Sequence, residues 1–404
     1  MSGEADLIFR TTDTLQSTSD HKPSVLLLHN RYRQVGGEER SVAEIAALLR
    51  SRGHATQLFE RSSRSLASKR GRVRAAIAML AGGEAPSGVT AAIERTGAEI
   101  VHAHNINPLY GPKALRAAKQ SGARVVMHLH NYRLVCAVAV AYRDGEICTR
   151  CHGRNTTAGV RLRCRGNFAE AAIYGAGIAA YQPTVFESVD EFVVPSEAAV
   201  GRLVDLGLPG DHMQVLRNFL MDEEFAASSS AGEGQYALFA GRLAEEKGVD
   251  TIIEAARRSG VPLVIAGTGP DAERLQTLAQ GASVRFAGRL RPAELRDVRR
   301  RAAFAVVPSR WDEPCPYAVI EAMAAGLPTL VSDVGGLPEM AGWDAALPPR
   351  DTDRWAGAMS DLWANALNRQ ELGGHALEQA RDLFGAERFY SGLSNVYASA
   401  GSRA

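Results

Sequence analysis

The stretch from Ser309 to Gly336, SRWDEPCPYAVIEAMAAGLPTLVSDVGG, constrains this chain more than any other. The apolar run Ala303-Phe304-Ala305-Val306-Val307 precedes it and stops at Pro308, which predicts a short buried strand ended by a proline. Pro314 and Pro316 forbid a helix through Glu313-Pro314-Cys315, yet proline suits a first helical position. A helix is therefore expected to open at about Pro316 and run through YAVIEAMAAG until Gly326 stops it. Glu313 falls in the loop facing the helix N-terminus, and Glu321 lies one to two turns inside the helix. Unpaired N–H groups and the positive end of the helix dipole favour an anion there. Carboxylates beside such a site accept hydrogen bonds from vicinal hydroxyls, so the pair suits a ligand that is part phosphate and part polyol.

Taken alone, Glu313 and Glu321 read better as a solvated loop residue and an ordinary helix-face residue, since charged residues are mostly exposed. With Ala322-Met323-Ala324-Ala325-Gly326-Leu327-Pro328 they resemble the Glu-x(7)-Glu signature of retaining glycosyltransferase family 4. The resemblance covers nearly all of residues 24–400 and is strongest from Gly241 to Glu339. It implies an α/β chain of the GT-B fold, two Rossmann-like parallel-sheet domains facing across a cleft that holds the active site. The expected division is a disordered leader over 1–22, an acceptor-side domain over 23–217 with a Cys/Arg-rich insertion at 131–167, a nucleotide-sugar domain over 218–380, and a helix crossing back over 381–404.

Length and composition agree. A chain of 404 residues carries two to three domains. A net charge of +1 argues against a basic nucleic-acid binder. No run of 18 apolar residues predicts a membrane span, and the polar start lacks a signal-peptide core. A cytoplasmic protein is expected, with reduced cysteines.

In the first half, Ser24-Val25-Leu26-Leu27-Leu28-His29 is a buried strand, followed by the turn NRYRQVGGEE from Asn30 and a helix over Glu38–Arg50. Strand, glycine turn and helix let backbone N–H groups approach a phosphate, though a plain tight turn explains two glycines as well. The resemblance matches Gly36 and Gly37 to a loop near the donor diphosphate. A basic segment follows, Arg61, Arg64, Lys69, Arg70, Arg72 and Arg74, leading into Ala75-Ala76-Ile77-Ala78-Met79-Leu80. It reads either as a solvated helix end or as a face docking on an anionic membrane. His104 and His130 end the next two strands, where ligands of open α/β sheets sit, but a strand-end histidine is often structural. The resemblance picks out His130 as the acceptor contact and candidate base. It groups Asn30, His104, Asn105, Asn131 and Arg133 on the acceptor side.

Cys136, Cys148, Cys151 and Cys164 follow at C-x(11)-C-x(2)-C-x(12)-C spacing. A structural zinc ion and four reduced thiols are the two readings. Arg133, Arg143, Arg150, Arg154, Arg161, Arg163 and Arg165 in the same segment could meet an anionic acceptor.

In the second half, Tyr236–Ala240 is a strand followed by Gly241-Arg242-Leu243-Ala244-Glu245-Glu246-Lys247-Gly248. Arg242 and Lys247 straddle the strand-to-helix turn and can deliver a forked guanidinium and an ammonium to one diphosphate. The motif Gly-Arg-Leu-x-x-Glu-Lys-Gly is specific to the resembled family, where the two cations would neutralise the leaving nucleoside diphosphate without a required cofactor. By the same resemblance the donor also meets Gly267 and Gly269, Arg289 and Leu290, and Tyr317, Ala318 and Glu321, while Glu313 faces the donor sugar. One departure is Cys315-Pro316 in place of the more usual Phe-Gly.

The expected protein is a retaining glycosyltransferase that moves a sugar from a nucleoside-diphosphate sugar to a sugar, lipid-linked or small-molecule acceptor, in glycan, glycolipid or glycosylated-metabolite biosynthesis. Peripheral contact with the inner membrane face and a homodimer are compatible with it. A sugar-nucleotide epimerase of the same fold and a non-catalytic nucleotide-sugar-binding subunit are the rivals. The Gly-Arg-Leu signature disfavours the first, and intact Arg242, Lys247, Glu313 and Glu321 disfavour the second.

Overall fold

A computed structural model describes residues 21–32 and 36–400. Of the expected leader only His21 and Lys22 fall within the described residues. Two six-stranded sheets, parallel throughout, form the frame. The first is built from β1 (Val25–Arg31), β2 (Thr56–Ser62), β3 (Ile100–Ala103), β4 (Arg124–His128), β7 (Glu191–Val194) and β8 (Met213–Val215), in the order β2-β1-β3-β4-β7-β8. Between β4 and β7 a small hairpin forms from β5 (Tyr142–Arg143) and β6 (Glu146–Ile147). The second sheet contains β9 (Ala237–Ala240), β10 (Leu263–Ala266), β11 (Val284–Gly288), β12 (Phe304–Val307), β13 (Thr329–Ser332) and β14 (Ala346–Leu347). Its order, β11-β10-β9-β12-β13-β14, is that of a doubly wound nucleotide-binding sheet. This is the GT-B architecture of two α/β domains.

The central strands are largely apolar because helices cover both faces. Val25–Leu28, Val125–Val126 and Phe304–Val306 are all buried. Strand order reverses between β1 and β3 in one sheet and between β9 and β12 in the other. Loops leaving the carboxyl ends diverge at those points and open crevices there.

The chain passes to the second domain near Leu220 and returns at Gly385, which pair as an isolated bridge. Helix Ala366–Phe384 still packs in the second domain, so the return falls a few residues beyond the expected 381. Helix Ala386–Ser399 then lays Phe389, Leu393, Val396 and Tyr397 on Leu27, Ile100, Val126 and Val193 of the first sheet. Phe219 stacks on Phe389 at 4.2 Å where the two crossings meet. Among the described residues no helix is long and apolar enough to cross a membrane.

Candidate active site

Glu313 is 4 % exposed, and its Oε1 accepts from Lys247 Nζ at 2.6 Å and from Ser309 Oγ at 2.7 Å. Pro308 ends β12 and starts the loop that carries Ser309 and Glu313. Lys247 arrives from the turn after β9, where Gly248 sits at φ +65° and a Cβ would lie 2.0 Å from the Pro308 carbonyl oxygen. Only glycine fits such a left-handed, crowded position. Lys247 Nζ also stands 5.5 Å from the Trp311 ring centre. Arg242, on the same turn, ion-pairs with Glu246, so each cation of the expected clamp rests on a carboxylate. Gly267 and Gly269 let neighbouring loops touch, since Cβ atoms there would meet the carbonyl oxygens of Gly241 and Leu243 at 1.8 and 2.0 Å. Arg289 and Leu290 leave the carboxyl end of β11, with Arg289 exposed and Leu290 half-buried against the domain core.

The helix of the Glu-x(7)-Glu stretch runs over Tyr317–Ala324, with Pro316 as its cap, so Tyr317 and Ala318 carry its first amides. Such amides have no partner within a helix. Glu321 pairs through Oε1 with Arg40 of the first domain and through Oε2 with buried Arg299. Arg40 also meets Glu224 at 2.6 Å and stands 4.5 Å over the Tyr317 ring, while the Tyr317 hydroxyl donates to Glu44 Oε2 at 3.1 Å. Gly37 faces the same ring, and a Cβ there would lie 3.3 Å from Tyr317 Cδ2. The Gly36–Gly37 turn and the Glu321 helix therefore face each other across the cleft. The Gly36 and Tyr32 amides donate to Glu39, 2.8 Å each, so a carboxylate already answers the N–H groups expected to meet a phosphate. Cys315 is buried in the second-domain core, its thiol pushed up to about 12 by burial, and its carbonyl accepts from Asn218 Nδ2 at 2.7 Å. The Cys-Pro departure is thus a packing feature.

On the acceptor side, one cavity at the ends of β3 and β4 is lined by His104, Asn105, His130, Asn131 and Arg133, together with Tyr32 and Glu38. Asn30 is corrected: it is fully buried, its side chain bonds Ser63 Oγ at 2.8 Å and the Leu109 amide at 3.3 Å, and its carbonyl accepts from Asn105 Nδ2 at 2.7 Å. Its polar groups tie loops together and do not line the cavity. His104 is buried behind His130, Nδ1 to Nε2 2.9 Å. Burial, with the His29 ring nearby, lowers His130 to about 3, so it is neutral at ordinary pH.

Glu38 escaped the sequence reading. It is a buried carboxylate raised by burial above its ordinary value, accepting from the Tyr32 hydroxyl at 3.0 Å and Asn131 Nδ2 at 3.3 Å. In the sequence it looks like an ordinary first-turn acid serving the helix dipole. Arg40 escaped too, because its partner lies in the other domain.

The four thiols of the insertion line one cavity. Among the described residues, the group of three or more metal-ligating side chains with donor atoms within 4.8 Å of one another is instead His102, His104 and His128. The thiols as they stand are more open than a metal centre.

Two family profiles match. One, Glycosyltransferase Family 4, matches residues 35–223, and the other, Glycosyl transferases group 1, matches residues 221–379. The chain belongs to the GT-B glycosyltransferases. It is 31% identical over 205 residues to the GDP-mannose-dependent alpha-mannosyltransferase of Mycolicibacterium smegmatis, a match covering 45% of this chain and 53% of that one. The chain spans about half the length of the curated relatives it matches. Sucrose-phosphate synthase from Thermosynechococcus elongatus has a similar structure, with TM-score 0.67 and 17% identity over 95% of this chain and 100% of that one. Anabaena HepE, crystallised with UDP and glucose, gives TM-score 0.62 and 15% identity over 93% of this chain and 100% of that one. These two likenesses establish the fold.

Proposed function

We propose that the protein transfers a sugar, with retention, from a nucleoside-diphosphate sugar to an acceptor hydroxyl. The observation that carries the reading is the assembly of Lys247, Ser309 and Glu313 at the carboxyl end of β12, beside Arg242 and the N-terminus of helix Tyr317–Ala324. Cations and free amides on one side and carboxylates on the other match a diphosphate joined to two polyols. The GDP-mannose dependence of one relative and the UDP bound to HepE agree with that donor class.

In this reading the bond from the anomeric carbon to the diphosphate breaks on the face where the acceptor oxygen attacks. The acceptor proton passes to the departing phosphate oxygen. Arg242 and Lys247 stabilise the charge that develops there. Glu321 holds the ribose, which requires its Oε1 to give up Arg40 while Oε2 keeps Arg299. Glu313 faces the donor sugar, and neutral His130, with Asn131 and Arg133, meets the acceptor.

Two features bear on the acceptor. Helix Lys69–Ala81 exposes Val73, Ile77 and Leu80 along one face, beside exposed Lys69, Arg70, Arg72 and Arg74. That face suits an anionic bilayer and so a lipid-linked acceptor. We also infer that the insertion takes zinc. Its four thiols line one cavity and include the Cys148-x(2)-Cys151 pair at zinc-like spacing. Metal analysis of the purified chain tests this, and a zinc-free, stable and active preparation rejects it.

A panel of UDP- and GDP-sugars, followed by released nucleoside diphosphate with and without acceptors, tests the function. Slow release alone and faster release with an acceptor are expected. Interconversion of the donor without release points to the epimerase, and binding without any turnover to the non-catalytic subunit.

A further inference from the structure

Strands β1, β3 and β4 run in register, with Leu28 opposite Ala103 and Ala103 opposite Met127. His29, His104 and His128 therefore follow one another across the sheet, and His102 and His130 lie two residues below and above on the same face. That face is apolar where the crossing helix packs on Leu27, Ile100 and Val126, then turns to imidazoles toward the carboxyl edge. His102, His104 and His128 are 0%, 1% and 1% exposed. Nε2 of His102, Nε2 of His104 and both nitrogens of His128 have no hydrogen-bond partner among the described residues. A buried polar atom left unpaired costs about 1–3 kcal/mol. One nitrogen from each of the three rings lies within 4.8 Å of the other two.

The opposite nitrogens of two rings are held. His102 Nδ1 pairs with the Tyr397 hydroxyl at 2.9 Å, and His104 Nδ1 with His130 Nε2 at 2.9 Å. A metal-ligating histidine is oriented in this way, one nitrogen on a supporting group and the other free. We propose that His102, His104 and His128 form a site for a first-row divalent transition ion such as Zn²⁺ or Co²⁺. An all-imidazole donor set selects such ions over Mg²⁺ or Ca²⁺. Metal–nitrogen bonds of about 2.0–2.1 Å put tetrahedral ligand atoms about 3.3 Å apart, so the three rings, which stack at interplanar angles of 0–26°, turn about their side-chain bonds to converge on an ion. Glu39, whose carboxyl is held below its ordinary value against burial by the His29 ring and by hydrogen bonds from the Tyr32 and Gly36 amides, approaches that neighbouring ring at 3.8 Å and supplies nearby negative charge. The ion would fasten β3 to β4 and, through His104, fix the ring of His130. The site stands whether or not the glycosyl-transfer reading holds.

Co²⁺ titration of the full, chelator-stripped chain tests it, using a Cys136→Ser/Cys151→Ser background to disable the thiol cluster. The background is expected to bind one Co²⁺ with a visible spectrum that lacks the near-ultraviolet sulfur-to-cobalt band. His128→Leu and His104→Gln in that background should each lose at least tenfold in affinity. Tyr397→Phe keeps all three ligands and carries the test if the histidine variants do not fold; about 10- to 100-fold weaker Co²⁺ binding is expected. No Co²⁺ uptake by the background, or uptake unchanged in the folded variants, overturns the site.

Discussion

Lys247 meets Glu313 because Gly248 alone can turn back beneath Pro308. Sequence exposed both partners through the motifs that carry them, but not that they pair. The Glu321 partner Arg40 was illegible, because nothing local links positions in different domains. Asn30 illustrates the opposite error: a polar strand-end residue looks like a ligand contact, yet a turn uses the same group to satisfy its own backbone. The two glutamates separate binding from chemistry. Ribose contacts persist from ground state to transition state, so Glu321→Gln is expected to raise donor KM and weaken nucleoside-diphosphate binding. Glu313→Gln should mainly lower kcat and leave that affinity nearly unchanged. Steady-state kinetics with calorimetry of the free nucleotide checks both, and the reverse pattern means the helix lies the other way over the donor. Arg40→Ala should tighten nucleotide binding if Arg40 competes for Oε1 of Glu321, and weaker binding would refute that competition.

Elements that are apolar throughout were the legible ones. Strand β12 and the helix after it appear where the prolines require, at Phe304–Val307 and Tyr317–Ala324. The tail was expected as helix, but its three helices and the return at Gly385 depend on which domain each face packs against, and periodicity does not carry that. His104 and His130 were legible as strand-end residues, but His102 and His128 drew no notice, because only pairing in register brings the four rings together. The crossing helix gives a stability prediction. Phe389 is buried against the first sheet and Phe219, so Phe389→Ala should cost about 3–5 kcal/mol in urea unfolding. A loss under about 1 kcal/mol, as at exposed sites, would mean the helix is not held there. Helix Lys69–Ala81 gives a binding prediction. Val73→Asp with Ile77→Asp should abolish co-sedimentation with phosphatidylserine vesicles while leaving turnover of a soluble acceptor intact, and undiminished co-sedimentation would remove this face from membrane contact.

The whole molecule carries a cost in acid. His102, His104, His128 and His130 all lie below their ordinary value because burial disfavours their charged form. Unfolding lets them bind protons, so their contribution to stability is complete above about pH 6.5 and falls as pH drops below it. Metal-free protein should therefore melt markedly lower at pH 5 than at pH 7, and a Tm indifferent to pH over that interval would contradict the burial. The two domains meet through several polar contacts beside the cleft. Tyr132 donates to the Asp312 carbonyl at 2.8 Å, Arg202 to its carboxylate at 2.6 Å, and Glu339 accepts from the Ala198 amide at 2.6 Å. These contacts set the cleft across which donor and acceptor are proposed to meet. The most direct measurement is the rate of nucleoside-diphosphate release from the preferred donor by wild type, Arg242→Ala and Lys247→Ala. Losing one charge-stabilising donor is expected to slow turnover about 10²- to 10³-fold in each folded variant, whereas near-normal rates in both would contradict the diphosphate clamp and the proposed glycosyl transfer built on it.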